Sequence, residues 1–360
     1  MPRLRLPTLA LFLLTLGGHA LAQDKAAETG KTITGEVLFE LQNDWAARPD
    51  DPANERNDTY LTIEATIEAR LATSLKLLSQ VTVEPVLDPK PGNDRFFWDE
   101  GAYLEQIYLE YSLGNFAFRG GKFGQKFGIA WDAAPGIWGT DFAEDYELAE
   151  QIGVAADFDF GSEAMGKHVV TVGTFFADTT FLSESAFTNR GRTHHSDGGA
   201  GNTEGFSNVS IALEGGDIPA LPGVGYHIAY TSRDSDAAGE TTETSLTGAL
   251  RYAFKLGPIG VEPLMEYATF SDRNGVPGTD ADYLTTAVMF TYGQWNVALS
   301  RTGRTTETEG MDDIKDSLAQ VTLGYAFASG INVNAGYRQT EESGVANNTL
   351  GVLVDYTLTF

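Results

Sequence analysis

One long segment, residues 123–150, carries the side chains with the clearest capacity for chemistry. It combines several carboxylates with large apolar residues, among them Trp131 and Trp138. The apolar residues favour burial over contact with water, so the segment is expected to pack against the rest of the protein. Three basic residues, Arg119, Lys122 and Lys126, come immediately before the acids or among the first residues of the segment.

Other arrangements that could do chemistry are weak. An enzyme would need a nucleophile activated by a base, and His227 is the histidine that falls in the middle of a predicted strand, with no Ser-and-acid arrangement near it in sequence. His194, His195 and Asp197 share a glycine-rich loop without a further ligand to complete a metal site. We therefore predict no enzymatic activity, no metal site and no cofactor.

The elements that must position the acidic segment are β-strands. In residues 60–71, apolar side chains alternate strictly with Thr, Glu and Arg, which is a period of two and not the helical period of 3.6. Comparable segments recur along the chain and predict sixteen strands, an even number as in bacterial barrels. They lie near 33–41, 60–71, 75–84, 103–112, 115–122, 151–160, 168–177, 206–214, 224–233, 243–254, 259–270, 282–292, 294–302, 317–327, 331–340 and 349–360.

The connections between these segments alternate in length. Short turns, such as residues 72–74 and Gly293, follow every second strand, and long loops such as 85–102 and 178–205 follow the others. Aromatic residues gather near strand ends, where the interfacial girdles of a membrane barrel lie. A soluble β-sandwich has no reason for this alternation, so the fold class predicted is all-β, a transmembrane antiparallel β-barrel.

In such a barrel the acidic segment is the third long loop, and its apolar residues predict that it folds inward. Its acids would then face the basic residues of the preceding strand across a narrow lumen, and the resulting transverse field would orient polar solutes. The predicted constriction consists of Arg119, Lys122, Lys126, Asp132, Asp141, Glu144, Asp145 and Glu147. The alternative, a loop that lies over the outside with solvated acids, stays open at this point.

The wall of the lumen is predicted from the inward positions of the strands. Its charged residues include Glu64, Glu68, Arg70, Lys76, Glu110, Arg233, Arg251 and Arg338. The whole chain has 24 basic and 50 acidic residues, a formal net charge of −26. This balance excludes nucleic acid as a partner, because phosphate neutralisation needs basic clusters, and a negative field concentrates cations.

Three residues fit the alternation poorly. Glu105 falls on the outward parity of its strand, where a carboxylate would face lipid at a cost. Pro263 lacks the N–H that a strand without a free edge should donate. Arg301 is outward by simple alternation. A β-bulge or a position near the membrane interface would accommodate each of them.

The two ends of the sequence predict a signal peptide and a terminal assembly signal. Residues 1–22 have a basic start, an apolar run and a small-x-small site, which predicts a cleaved signal peptide and a mature barrel over 23–360. Phe360 is the last outward residue of the final strand, where it is expected to be recognised by the outer-membrane assembly machinery.

The stretch 103–153 resembles the phosphate-selective porin family of Gram-negative bacteria. The residues that carry this resemblance read LEYSLGNFAFRGGKFGQKFGIAWD, followed by GIWGTDFAEDYELAEQIG. The resemblance implies a sixteen-strand barrel, usually trimeric, with the third long loop folded into the pore. The arginines of the predicted wall are scattered over several strands among many acids, whereas such porins are understood to line their pore with arginine ladders.

We therefore expect an outer-membrane porin for passive diffusion of small hydrophilic solutes and ions, with weak cation preference. An anion- or phosphate-selective porin is the alternative that the family resemblance suggests. Expected partners are the lipid bilayer, lipopolysaccharide and two further copies in a homotrimer. Two alternatives to a porin stay open. One is a barrel closed by a plug, which would conduct no ions, and the other is an outer-membrane barrel enzyme.

Overall fold

The protein is a single antiparallel sheet that closes on itself into a barrel. The computed structural model describes residues 32–360 except Arg48 and Pro91, so the predicted signal peptide over residues 1–22 lies outside the described residues. The sixteen strands of the wall are β1 (Ile33–Ala46), β2 (Arg56–Ala72), β3 (Leu75–Pro85), β4 (Glu100–Leu113), β5 (Phe116–Gln125), β6 (Leu148–Ser162), β7 (Gly166–Ala177), β8 (Asn208–Gly216), β9 (Val224–Arg233), β10 (Glu243–Tyr252), β11 (Ile259–Ser271), β12 (Thr279–Tyr292), β13 (Trp295–Thr308), β14 (Ile314–Ala326), β15 (Ile331–Glu342) and β16 (Val345–Thr359).

A few short elements lie outside this series. Arg95–Phe96 and Ala186–Phe187 are two-residue strands in long loops, and Phe254–Leu256 continues the course of β10. The described α-helix, α1, covers Ala130–Ala133, and 3₁₀ turns cover Pro52–Asn54, Glu144–Tyr146, Phe181–Ser183, His195–Asp197 and Arg273–Gly275. None of the helices in the described part of the chain has the length and apolar character to cross a membrane.

The barrel is closed by the pairing of its first and last strands. β1 and β16 are antiparallel from Glu36↔Thr359 to Ala46↔Thr349. The last residue joins this ladder, because Phe360 N–H donates to Gly35 O at 3.0 Å and Gly35 N–H donates to Phe360 O at 3.2 Å. Closure removes the free strand edges that a membrane could not hydrogen-bond.

The alternation of side chains decides which face of each strand points outward. In β10, Leu246 and Leu250 are half or more exposed, while Thr247 and Ala249 between them are buried. The same pattern recurs in the other strands, so exposed apolar residues cover the outside of the barrel and polar residues line its interior. The prediction of a sixteen-strand barrel is confirmed, and each predicted segment overlaps one observed strand.

Several strands run further than the alternation predicted, chiefly at the long-loop end. β13 continues to Thr308 instead of residue 302, and β16 begins at Val345 instead of residue 349. These extensions carry polar residues on both faces, as in Thr305, Thr306 and Glu307, so they have no apolar face to recognise. Their backbone groups nevertheless pair, for example in Thr306↔Ile314.

A β-bulge explains the position of Glu105. Gln106 pairs with Gln80 and Leu104 pairs with Val81, so Glu105 is one extra residue in β4. Its carboxylate accepts hydrogen bonds from Gln80 Nε2 at 2.9 Å and from Thr82 Oγ1 at 2.5 Å, both on the inner face. The simple parity that placed Glu105 against lipid was wrong, because a bulge reverses the direction of the following side chains.

Pro263 lies where the ladder between β10 and β11 is interrupted. Pairing is regular up to Arg251↔Leu264 and resumes at Phe254↔Val261. On the other edge of this strand the ladder with β9 continues, since Ala253 N–H donates to Gly223 O at 2.8 Å. The missing N–H of Pro263 therefore coincides with a gap in the ladder.

Arg301 lies on the outward face, as simple alternation predicted, and its side chain is exposed.

Aromatic side chains form clusters at the short-turn end of the wall. The ring centroids of Trp295 and Tyr325 are 4.7 Å apart, and those of Phe116 and Phe158 are 4.9 Å apart. Rings of this kind at one end of a barrel match the interfacial girdle of membrane barrels.

Closure of the sheet leads to a first prediction. We expect the purified folded protein to migrate faster in SDS gels when unheated than after boiling, because SDS does not open a closed ladder until heat unfolds it. A soluble β-sandwich of the same mass, taken as the control, should show one mobility. Identical migration with and without boiling would contradict a closed barrel.

Candidate functional site

Between β5 and β6 the chain leaves the wall and crosses the interior. We call residues 126–147 the lumen loop. Its hydrogen-bond partners lie on β8, β9, β11 to β15 and β1, far from its own strands in the wall. These partners stand at inward positions, so the loop lies inside the barrel and packs along one side of it.

Glu266 on β11 holds the start of the loop. Its carboxylate accepts the backbone N–H groups of Ile129 at 2.6 Å and Ala130 at 3.1 Å, and the Tyr146 hydroxyl at 2.6 Å. The first N–H groups of a helix have no partner within the helix, and α1 begins at Ala130. One buried carboxylate thus pairs groups from the beginning and the end of the loop.

His227 on β9 holds the turn that precedes α1. Gly128 N–H donates to its Nε2 at 3.1 Å, and its Nδ1 lies 3.3 Å from a carboxylate oxygen of Glu214. Because an amide N–H can only donate, Nε2 is unprotonated and Nδ1–H donates to Glu214. The imidazole is fully buried and serves to position the turn before α1.

Trp138 anchors the middle of the loop on β14 to β16 and β1. Its indole N–H donates to Asp44 at 3.1 Å, and its backbone N–H donates to Gln320 at 3.2 Å. Its ring lies directly over Gly336 and Gly351, where a Cβ would come within 3.0 Å and 2.3 Å of ring atoms. Two inward glycines therefore create the space that this side chain occupies.

Acids on the wall side of the loop are paired with arginines. Asp141 contacts Arg338, and Asp145 lies 2.6 Å from the Arg304 guanidinium. Arg304 also pairs with Asp316 on β14 at 2.7 Å, and Tyr283 donates to Asp145 at 3.1 Å. These acids fasten the loop to the wall, and their side chains stay 32% (Asp141) and 35% (Asp145) exposed.

An aromatic core fills the space between the loop and the wall at β11 and β12. Phe127 and Tyr146 of the loop pack on Phe270 and Tyr283, with ring centroids 5.1 to 6.1 Å apart. All four side chains are buried. This side of the interior is therefore filled by side chains, and the other side of the loop faces β1 to β4.

The side of the loop turned away from the aromatic core faces carboxylates on the opposite wall. Glu147 lies in electrostatic range of Glu105, Glu144, Asp132 and Glu64, and Glu64 lies in range of Glu40 and Glu84. We call this set the acidic ring; it consists of Glu40, Glu64, Glu84, Glu105, Asp132, Glu144 and Glu147. Lys126 is the basic group that acts on it, through Asp132.

The loop members of the acidic ring are harder to ionise than free carboxylic acids. Burial, together with the charges of Glu105, Glu144, Asp132 and Glu64, raises the pKa of Glu147 to about 8. Burial also raises the pKa of Asp132 and of Glu144. The negative charge of each ionised carboxylate makes its neighbours harder to ionise, as expected of like charges close together.

The basic residues predicted for the constriction do not face these acids. Arg119 pairs with Asp157 on the neighbouring strand at 2.9 Å. Lys122 is buried between Glu150 and Asp178, each at 2.8 Å. The prediction of a transverse field between acidic and basic walls was therefore wrong, because Arg119 and Lys122 form ion pairs within the wall. Of the three predicted basic residues, Lys126 is the one near the acidic ring.

Lys122 holds a loop that covers an unpaired edge of the wall. β5 ends at Gln125, so the long-loop end of β4 has no β5 residues to pair with. There, Ala186–Phe187 of the next long loop pairs with Gly101 and Ala102 of β4. The Lys122 ammonium donates to Leu182 O in the same loop at 2.8 Å. The residue thus holds the covering loop in place.

The predicted wall residues lie inside the barrel, and several form pairs. Lys76 lies 3.2 Å from both Glu68 and Glu110, Arg233 contacts Glu243, and Arg338 contacts Asp141. Arg251 is in electrostatic range of Glu214 and Glu262. Glu64 belongs to the acidic ring, and Arg70 forms no ion pair with another described residue.

Sequence reasoning missed four of the charged residues that shape the site. Glu40 and Asp44 fall on the inward parity of β1, and this parity was a signal that could have found them. Arg273 and Arg304 lie beyond the predicted strand ends, so alternation offered no signal for either. Arg273 donates to Asp145 O at 2.5 Å and to Glu243 at 3.1 Å.

No family model matches the chain, and no curated protein matches it. Among solved structures, OprB of Pseudomonas putida is similar with a TM-score of 0.63 and 9% identity, covering 94% of this chain and 96% of that chain. The outer membrane channel DcaP of Acinetobacter baumannii has a TM-score of 0.55 and 11% identity, covering 91% and 96%. OmpT of Vibrio cholerae, in its trimer form, has a TM-score of 0.51 and 11% identity, covering 91% and 98%.

The chain has the fold of outer-membrane β-barrels. At these identities the likeness concerns the fold alone, and the resemblance to phosphate-selective porins depends on the residues of 103–153.

The anchoring of the lumen loop leads to a second prediction. Glu266→Ala should lower the free energy of unfolding by roughly 3 kcal/mol, because three hydrogen bonds to a buried charged group are lost. It should also add flicker to the open-channel current, since the start of the loop is released. Urea unfolding in lipid vesicles and single-channel recording measure the two effects.

Glu262→Ala is the matched control, since Glu262 lies on the same strand and makes no hydrogen bond to the lumen loop. Equal stability and equal current noise in both variants would show that Glu266 does not hold the loop.

The pKa of Glu147 leads to a third prediction. Because that pKa is raised to about 8, Glu147 takes up a proton as the pH falls from 9 to 6, and the acidic ring loses negative charge. Any cation preference of the channel should therefore decrease over this range. Zero-current potentials at a series of pH values measure it. In Glu147→Gln the decrease should be smaller; an unchanged pH profile in this variant would contradict the assignment.

Proposed function

We propose that the protein is a water-filled channel of the outer membrane of a Gram-negative bacterium, through which small hydrophilic solutes and ions diffuse passively, with preference for cations. The observation that carries this proposal is the acidic ring. Its carboxylates stand on both sides of the passage, and Lys126 is the basic group in their range. Charged side chains that surround a constriction are a common source of ion selectivity.

The direction of selectivity follows from where the charges remain unpaired. Four of the arginines inside the barrel are held by carboxylates: Arg338 by Asp141, Arg304 by Asp145 and Asp316, and Arg233 and Arg273 by Glu243. Arg251 lies in electrostatic range of Glu214 and Glu262, and Arg70 forms no ion pair with another described residue. Among the described residues, no ion pair joins a cation to a carboxylate of the acidic ring, and Lys126 is the cation in range, through Asp132. A field of this sign attracts cations into the passage and raises their local concentration.

Anion or phosphate selectivity is the second candidate, supported by the resemblance of residues 103–153 to phosphate-selective porins. A similar solved structure, OpdK of Pseudomonas aeruginosa, was determined with vanillate, at 9% identity and a TM-score of 0.55. At the four ion-paired arginines named above, an anion would have to displace the carboxylates that already hold the guanidinium groups. The charge arrangement therefore favours cations.

Three further assignments belong to the same proposal. Residues 1–22 direct export and are removed, which leaves the barrel over 23–360. Phe360, paired with Gly35 at the seam of the barrel, presents the last strand to the outer-membrane assembly machinery. The trimer form of a similar barrel, OmpT, supports a homotrimer. The mechanism needs no catalytic group and no cofactor, since solutes move down their own gradients.

A bilayer measurement is the fourth prediction. Under a KCl gradient, the purified protein should give stepwise conductance and a zero-current potential directed to cations, and added phosphate should not block it. A carboxylate about 8 Å from the path of an ion in water contributes roughly 0.5 kcal/mol, or about a twofold change in ion occupancy. At pH 9, where Glu147 is ionised, each carboxylate favours a cation and disfavours an anion by this amount, so the double variant Glu105→Gln, Glu147→Gln should lower the cation-to-anion permeability ratio roughly twentyfold.

Glu309→Gln, an exposed carboxylate in the loop between β13 and β14, is the control and should leave the ratio unchanged. An anion-directed potential with phosphate block would support the second candidate. Absence of any conductance would contradict an open channel.

A further inference from the structure

Arg301 is a charged residue on the outside of the barrel, away from the channel. The outward residues of β13 run from Trp295 through Val297 and Leu299 to Arg301, while the adjacent Thr302 is buried on the inner face. The Arg301 side chain is exposed. Nothing in the proposed channel function uses it.

The depth of Arg301 follows from the geometry of the strand. Trp295 belongs to the aromatic cluster at the short-turn end, and Arg301 lies six residues further along β13. A strand that rises about 3.3 Å per residue and tilts by about 40° climbs roughly 15 Å over that distance. The apolar band of such a barrel is about 25 Å tall, so Arg301 lies in the half that is nearer to the long loops.

Arg301 has no anionic partner within the described part of the protein. No ion pair joins it to another described residue, and its cross-strand neighbours are Thr286 and Ala319. The carboxylates on the outward parity of the surrounding strands, Asp282, Glu307 and Glu341, lie nearer to the long-loop ends. Asp282 accepts a hydrogen bond from Tyr267.

A second copy of the chain would not supply the missing anion at this depth. By alternation, the outward positions in the apolar band carry aliphatic, aromatic, small, hydroxyl and amide side chains, with no carboxylate among the described residues. The amide at the depth of Arg301 is Gln339, which is in register with it through Ala319. An unpaired guanidinium facing lipid is costly unless it reaches the polar headgroups or an anion there. The anion must therefore come from the lipid.

The surface around Arg301 has room for a headgroup. Gly303 on the same strand and Ser317 and Ala319 on β14 are small, so the wall is shallow on the side towards the long loops. Lys315, exposed on the outward face of β14, lies further in the same direction and adds a second cation. A guanidinium binds phosphate with two parallel hydrogen bonds, which an ammonium cannot do.

We propose that Arg301, with Lys315 beyond it, binds the phosphate of an anionic lipid in the leaflet on the long-loop side. This rests on the proposed outer-membrane location, where that leaflet is the outer one and its anionic lipid is lipopolysaccharide. Arg301 forms the deep contact, and the small residues of β13 and β14 admit the headgroup. The site is independent of the channel, because it lies on the opposite face of the wall.

Native mass spectrometry of the detergent-solubilised protein tests this proposal. The probe is diphosphoryl lipid A, and phosphatidylcholine is the neutral comparison. Wild-type protein should retain the diphosphoryl lipid, and Arg301→Gln should retain it about tenfold less well, because a charge-assisted hydrogen bond is lost. Lys167→Gln, an exposed lysine at the short-turn end, is the matched control and should match the wild type.

Equal retention by Arg301→Gln and the wild type would overturn the proposal. So would a change in oligomeric state without a change in lipid retention, which would make Arg301 part of a protein interface. Competition by inorganic phosphate equal to that by the lipid would also overturn it, since free phosphate would then be the ligand. The zero-current potential of Arg301→Gln should equal that of the wild type. A negative result for lipid binding therefore does not bear on the channel proposal, which the bilayer measurement tests separately.

Discussion

The structure depends on the requirement that every backbone N–H and C=O in contact with hydrocarbon be paired within the protein. A sheet meets this requirement only when its first and last strands join, and here the ladder between β1 and β16 extends to Phe360 itself. Closure then sets the interior apart from the membrane. Most of the charge of this chain is placed in that interior or in the loops, and Arg301 and Lys315 on the outward face are exceptions.

The lumen loop is held by a small number of buried polar contacts on a rigid wall. Glu266 joins both ends of the loop, His227 fixes the turn before α1, and the Trp138 ring lies over two glycines. Each of these wall residues comes from a different strand, yet closure keeps the strands in one relative position. The loop can therefore be as well positioned as a strand, although it has almost no regular structure of its own.

Charge inside the barrel is divided between two tasks. The arginines and some of the acids pair with each other, which fastens the loop and stiffens the wall. Among the described residues, the carboxylates without a cation in an ion pair collect on the other side of the loop, where Glu147 and Glu105 act on each other. The net charge at that place is what remains after ion pairing, so a count of charged residues on the wall does not reveal it.

The sequence by itself determined the fold, because apolar and polar residues alternate with a period of two in every strand and the connections alternate in length. It also indicated that residues 123–150 must be buried, since Trp138 and Phe142 are too apolar for water. Only the tertiary structure decided which charges meet. The bulge at Glu105 turned that carboxylate inward, and Lys122 became buried in the wall because β5 leaves it at Gln125. Ion pairs join residues that are far apart in sequence, as Asp141 and Arg338 are, and no local pattern records them.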